Sequence, residues 1–261
     1  MKILEDVGRG TLGFLEYSGG VAELGAESAV LLGRWRVRVM ETLNQAYILG
    51  VQSTVIVLLT SLFTGMILSL EAANQAQTFG VSDLVGGAVS YAASRELGPM
   101  LTGVVVAGRA GAAIAAELGS MAVTEQIEAL EALGLSPVRM LVVPRLLALI
   151  VMLPLLIIFA DIVAVLGGMW LAKTTAGISY GSFIESARIY SHFPDYIKGM
   201  FKGVVFAIII VLVGCYQGFN VRGGAAGVGK ATTGAVVVSI ILIFASNFML
   251  SFIFYGTQGI K

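Results

Sequence analysis

The fold turns on one stretch: Gly103-Val104-Val105-Val106-Ala107-Gly108-Arg109-Ala110-Gly111-Ala112-Ala113-Ile114-Ala115-Ala116-Glu117-Leu118-Gly119. Gly103, Ala107, Gly111, Ala115 and Gly119 recur every four residues, and Gly108, Ala112 and Ala116 form a second row beside them. Residues four apart share one face of a helix. Small side chains at that spacing let another helix backbone come close, which is how helices associate inside lipid. The segment therefore reads as a packing helix at the centre of the protein or at a subunit interface. Arg109 lies within it, and an arginine at mid-span costs about 2.5–3.5 kcal/mol on insertion scales, so it must face protein or water. Asp161, deep in a later apolar run, is the candidate partner. The two would form an intramembrane ion pair that fixes helix register, or else line a polar path.

Composition agrees with a membrane setting. Of 261 residues, 57% are hydrophobic and only 12% charged, and the mean hydropathy is +0.91. Soluble domains carry about 25% charged residues, so most of this chain must face lipid or other apolar helices. One cysteine, Cys215, and one histidine, His192, argue against disulfide scaffolds and zinc or iron–sulfur sites. Sixteen basic and sixteen acidic residues cancel, leaving no nucleic-acid footprint. The chain reads as one all-α integral membrane domain, 1–261.

Working outward, four further apolar runs can each cross the ~30 Å hydrocarbon core: roughly Ala46–Leu70, Leu141–Ala172, Gly199–Val221 and Thr232–Gly256. With Gly98–Gly119 they make a five-span core over 46–256, its termini on opposite sides. Basic residues set the orientation. A cytoplasmic N-terminus places Lys2, Arg9, Arg34, Arg36, Arg38, Arg139, Arg145, Arg222 and Lys230 inside, with Lys173, Arg188 and Lys261 outside. No secretory signal is visible in an acidic N-terminal segment holding Glu5, Asp6, Glu16, Glu23 and Glu27. Residues 1–45 read instead as an amphipathic interfacial helix, with Arg34-Trp35-Arg36-Val37-Arg38 at headgroup level.

Two connecting regions carry functional information. After the small-residue ladder, Thr124 through Gly134 reads as a short capped helix, with Thr124 as N-cap and Gly134 at the C′ position. Glu125, Glu128 and Glu131 share one side, and Ile127, Leu130 and Leu133 the other. Three carboxylates sit poorly against an anionic leaflet, so docking into a soluble partner is the better reading. Before the ladder stands Ser94-Arg95-Glu96-Leu97-Gly98-Pro99, with helical periodicity extending back to about Leu84. Arg95 and Glu96 then fall near Glu71, beside an apolar wall of Met66, Leu68 and Leu70. That is either a site for an amphipathic ligand or an interfacial charge pair in water.

Two motif matches are set aside. Gly224–Lys230 begins like a phosphate-binding loop, but Ala231 stands where Ser or Thr is needed. Gly177-Ile178-Ser179-Tyr180-Gly181 matches G-x-S-x-G without strand–turn–helix context. An intramembrane hydrolase would need Ser179 and His192. An ATPase-independent secondary transporter or channel for an amphipathic substrate would be expected to show inverted repeats, and none stands out.

The landmarks Ser94–Pro99, Ala107–Gly111, Ala116–Gly119, Thr124–Gln126 and Gly227–Thr233, in this order, resemble the MlaE/YrbE permease family over essentially the whole chain. The resemblance implies the non-catalytic transmembrane subunit of an ATP-binding-cassette lipid transporter in the bacterial inner membrane. Such a permease is a homodimer with an N-terminal interfacial helix, five spans and a cytoplasmic coupling helix. It needs no cofactor of its own, because ATP and Mg bind a separate ATPase. Further partners implied are an MCE-domain protein, a small STAS-domain accessory and phospholipid. By position, Leu68, Glu71, Arg95 and Glu96 match the lipid cavity, while Glu125, Ile127, Glu128, Leu130 and Glu131 match the coupling helix.

Overall fold

The computed structural model describes residues 2–33 and 38–256, for 2–10 and 14 the backbone alone. Among the described residues every regular element is helical. An N-terminal helix, α1 (Lys2–Gly33), precedes five helices long and apolar enough to cross a membrane: α2 (Val39–Phe79), α3 (Ser82–Val123), α5 (Val138–Ala176), α7 (Phe193–Phe219) and α8 (Gly224–Tyr255). Two short helices join them, α4 (Gln126–Ala132) and α6 (Tyr180–Tyr190). The α4 end of the bundle is termed proximal, and the α6 end distal. At 1.5 Å per residue, α3 runs for about 60 Å, roughly twice the hydrocarbon thickness.

The first span begins at Val39 and so takes in residues assigned from sequence to the N-terminal segment. The second begins at Ser82, close to the limit set by helical periodicity. Left-handed glycines close α2, α4 and α5, at Gly80 (φ 70°), Gly134 (φ 73°) and Gly177 (φ 68°); at the first, Val81 N–H donates to Ala76 O.

The small-residue ladder lies at the centre. Ala107 and Ala115 are wholly buried. A Cβ at Gly103 would fall 2.9 Å from Phe206 of α7, and one at Gly119 2.9 Å from Val221. Across the bundle, a Cβ at Gly65 would stand 1.9 Å from Ala164 O, and Ser69 Oγ donates to Gly168 O at 2.7 Å, so α2 and α5 meet nearly backbone to backbone. The main core joins Ala110, Ile114, Leu149, Leu153, Phe206 and Ile210, and a smaller distal one joins Val85, Val89, Ala172 and Phe183.

The N-terminal helix docks on protein. Tyr17 meets the Tyr216 ring edge-on at 4.9 Å, and Leu24 and Ser28 are buried. Of the basic–aromatic cluster, 34–37 lie outside the described residues, and Arg38 stands just before α2. The two motif matches resolve locally: Ser179 caps α6 by accepting Ser182 N–H at 3.1 Å, and Gly224–Lys230 is the first two turns of α8.

Gly65→Val is expected to lower the thermal midpoint in detergent by the equivalent of about 1–3 kcal/mol, because a crowded backbone contact cannot relax. Gly108 has nothing within 4 Å of its Cβ position. Gly108→Ala should leave the midpoint unchanged or raise it, since alanine is favoured over glycine in a helix by about 0.5–1 kcal/mol.

Candidate functional site

Near the distal end the helix of α3 widens. Ala93–Leu97 is a π-helical turn in which Gly98 N–H reaches back to Ala93 O. Such turns leave main-chain carbonyls short of their usual partners. The carbonyl of Arg95 accepts from Lys202 Nζ at 2.7 Å. Gly199 makes room for α7, because a Cβ there would fall 2.8 Å from Ser94 O.

A charged network forms around this turn. Lys202 is wholly buried, and its ammonium pairs with Glu96 Oε2 at 3.0 Å and donates to Ser251 Oγ at 2.8 Å. With the Arg95 carbonyl, all three of its donors are used. Glu96 also accepts from Ser251 Oγ at 2.8 Å and from Asn247 Nδ2 at 2.9 Å, both on α8. Arg95 pairs with Asp195 of α7 at 3.0 Å. Its guanidinium lies between two rings, 4.1 Å from the Tyr91 centroid and 4.2 Å from that of Tyr255, and donates to the Tyr91 hydroxyl. Three helices are thus tied at one level by charge-assisted contacts in a low-dielectric setting.

Only part of the expected lipid-facing set is brought together. Leu68 lines a narrow cleft with Leu97, Gly98 and Leu101, so the end of the first span does meet this segment of α3. The charges of Arg95 and Glu96 are instead spent on α7 and α8. Glu71 is exposed and has no ion pair or hydrogen bond among the described residues. Asp195, Lys202, Asn247, Ser251, Tyr91 and Tyr255 were not singled out from sequence. Lys202, the fourth residue of the apolar run Gly199–Val221, carries a similar signal to the one that drew attention to Arg109.

The expected pair of Arg109 with Asp161 does not form. Arg109 donates to Ile48 O at 2.8 Å, Ser53 Oγ at 2.9 Å and Gln52 Oε1 at 2.7 Å. These groups lie where α2 passes through a π turn (Ala46–Gly50) and a 3-10 turn (Val51–Ser53), and the guanidinium satisfies the carbonyl left over. Asp161 is 4% exposed, has no hydrogen bond at Oδ1, and lies against Gly98, where a Cβ would fall 1.8 Å from that oxygen. A further pair at the proximal end joins Arg145 to Glu117 at 2.8 Å.

The short proximal helix starts at Gln126, after Glu125 in left-handed geometry (φ 58°). Thr124 does not cap it: its hydroxyl donates to Ser120 O and so belongs to the end of α3. Gly134 takes the left-handed C′ position as expected. Glu125, Glu128 and Glu131 are exposed, Ile127 and Leu130 are half-buried, and Leu133 is 75% exposed. Between α4, Glu27 of α1 and Phe219 lies a cavity of about 600 Å³, lined also by Glu128 and Glu131.

Residues 42–253 match the family model described as Permease MlaE. The chain belongs to the MlaE permease family. It is 41% identical over 224 residues to a probable ABC transporter permease protein of Synechocystis sp., covering 86% of this chain and 85% of the relative. It is 34% identical over 255 residues to a probable ABC transporter permease protein of Rickettsia felis, covering 98% of each. A third relative, the chloroplastic protein trigalactosyldiacylglycerol 1 of Arabidopsis thaliana, is 38% identical over 225 residues, covering 86% of this chain and 63% of the relative. As a member of this family the chain is a multi-pass membrane permease.

Lys202→Met should destabilise the MlaE-family fold by about 1–3 kcal/mol by leaving the half-buried Glu96 carboxylate without its cation. Adding Glu96→Gln should recover at least half of the lost thermal midpoint. A double variant no better than the single one would show that Lys202 acts through packing alone.

Proposed function

We propose that the chain is the membrane-spanning subunit of an ATP-binding-cassette transporter that moves phospholipid between the inner membrane and an MCE-protein channel. Membership of the MlaE family supports this, as do the names of the bacterial relatives and the plant relative named after a galactolipid. The observation that carries it is the polarity of the bundle. A charge network is closed between three spans at the distal end, and a short acidic helix projects with its carboxylates free at the proximal end.

In this reading two copies form the permease, and each α4 docks on one copy of a separate ATPase that binds ATP and Mg. A small STAS-domain protein is a further accessory. The positive-inside bias puts α4 and the N-terminus in the cytoplasm and the C-terminus outside. Closure of the ATPase pair pushes on Thr124–Leu133. The displacement passes into α3 and α5, which flank α4 directly in the chain. The distal network then opens or closes around a headgroup while acyl chains occupy apolar surface. Arg95 and Glu96 supply the polar surroundings, and Leu68 part of the apolar lining. The chain supplies shape and electrostatics, and no group of it is required to react.

Charge reversal on α4 tests the coupling. Glu125→Lys with Glu128→Lys is expected to leave the thermal midpoint of the isolated permease unchanged, since both side chains are exposed. Co-purification of the ATPase and lipid transfer between vesicles should both be lost. Survival of both activities would sink the docking assignment.

A further inference from the structure

Short links join α4 to the bundle: α3 ends at Val123, α4 runs Gln126–Ala132, and α5 begins at Val138. Any displacement of α4 along the chain therefore enters through the proximal ends of α3 and α5. One polar contact ties these two ends together. Arg145 of α5 pairs with Glu117 of α3 at 2.8 Å, and among the described residues this is the one ion pair or hydrogen bond between the two helices. Their apolar packing at this level is shared with α7, whose Val211 and Cys215 are wholly buried in the core that also holds Leu118, Val142 and Leu146.

The pair is incomplete. Arg145 is 2% exposed, and its Nη1 donates at 2.6 Å to Leu141 O, inside the π turn Val138–Val142 that opens α5. Nη2 meets Glu117 Oε2, while Nε is shut away from solvent without a partner. The Glu117 side chain is 52% exposed, and its Oε1 makes no hydrogen bond among the described residues. A guanidinium offers Nε and Nη2 as a planar fork that matches the two oxygens of one carboxylate. Here one prong is engaged and the other idle. A buried donor left in that state is costly. A small approach of α3 to α5 that brings Oε1 onto Nε removes the cost, and a π turn is where the start of α5 can yield to allow it.

Resting on the reading of α4 as the helix that docks on the ATPase, we propose that Glu117 and Arg145 are positioning residues for energy coupling. They form a clasp that shuts from one hydrogen bond to two when α4 is pushed. With the clasp half open, α4 shifts on its links without drawing both helices along. With it shut, α3 and α5 move as one body, and a push on either is carried by both.

The test uses the complex of this chain with its ATPase, purified from the native host and reconstituted in vesicles of phosphatidylethanolamine and phosphatidylglycerol with a fluorescent phospholipid as cargo. Hydrolysis and transfer are measured on the same sample, and the quantity read is lipid moved per ATP. Glu117→Gln keeps an oxygen for Nη2 but turns an amide NH2 toward Nε, and that group cannot accept. It preserves the observed contact and abolishes the second one. This variant is expected to assemble with the ATPase and to hydrolyse ATP as the wild type does. Lipid moved per ATP should fall about fivefold, the low end of the range for coupled sites. Arg145→Lys should give the same fall, since an ammonium has no fork. Glu117→Asp keeps both oxygens and should lie nearer the wild type than Glu117→Gln.

A role in stability alone predicts that hydrolysis and transfer fall together with the thermal midpoint and leave their ratio unchanged, a result that overturns the clasp. A wild-type ratio in Glu117→Gln overturns it too, as does loss of the ATPase from that complex, which would put the pair in the docking face. Where Arg145→Lys does not fold, Glu117→Gln decides alone. Carbodiimide modification of Glu117, read by peptide mass, needs no lipid: it should fall when a non-hydrolysable ATP analogue is added, and unchanged modification sinks the closure. A wild-type complex that hydrolyses ATP and protects Glu117 yet moves no phospholipid points to failure of the transport reading alone.

Discussion

A lysine ammonium sealed inside an apolar bundle sets the conditions the distal half must meet. Leaving such a charge unpaired costs several kcal/mol, and lipid offers it no alternative. Lys202 is satisfied by a carboxylate, a main-chain carbonyl and a hydroxyl from two other helices. For that to happen α3, α7 and α8 must meet at one depth. The helix of α3 must widen so that the Arg95 carbonyl is available, and Gly199 must stand where α7 crosses Ser94. The pairing of Arg95 with Asp195 follows from the same approach, because Asp195 lies two turns before Lys202 on α7.

The sequence made some of this legible. Composition and run length were enough for four spans, because bilayer thickness is a hard ruler, and the small-residue pattern of Gly98–Gly119 supplied the fifth. The four-residue spacing of Gly103 through Gly119 placed that helix at the centre or at a subunit interface, because close approach demands small side chains and little else supplies them. The short helix after it was readable from Gly134 and its amphipathic pattern, although its start moved to Gln126 because Glu125 takes the left-handed turn.

Azimuth was not legible. A charge within an apolar run reveals its depth, but its direction follows only if the helix keeps 3.6 residues per turn. Here π turns occur at Ala46–Gly50, Ala93–Leu97, Ala107–Gly111 and Val138–Val142. Each adds about one residue to a turn and rotates the next stretch of helix by roughly 100°. Arg95, Glu96 and Arg109 all lie inside such turns, so depth, which pointed to Asp161 as a partner for Arg109 and put Arg95 and Glu96 near Glu71, left their directions undetermined. Arg109 instead tends the irregular stretch of α2, and Glu71 is left facing outward.

The placement of these turns bears on how a push at α4 could reach the distal cluster. From Val123 to Ser82, α3 is one continuous helical rod. A regular helix transmits axial displacement stiffly, and a widened turn is where it yields. The two widened turns of α3 are the ones that hold Arg109 and Arg95. Each guanidinium bonds to a neighbouring helix, α2 for the first and α7 for the second. Yielding at either turn must therefore move a second helix with it. In the proposed coupling, movement at the proximal end is passed on in two steps, first to the Leu68-bearing span through Arg109 and then to the network around Arg95. In this arrangement the arginines are latches between spans, and in the proposed transport reading the headgroup competes for the distal one.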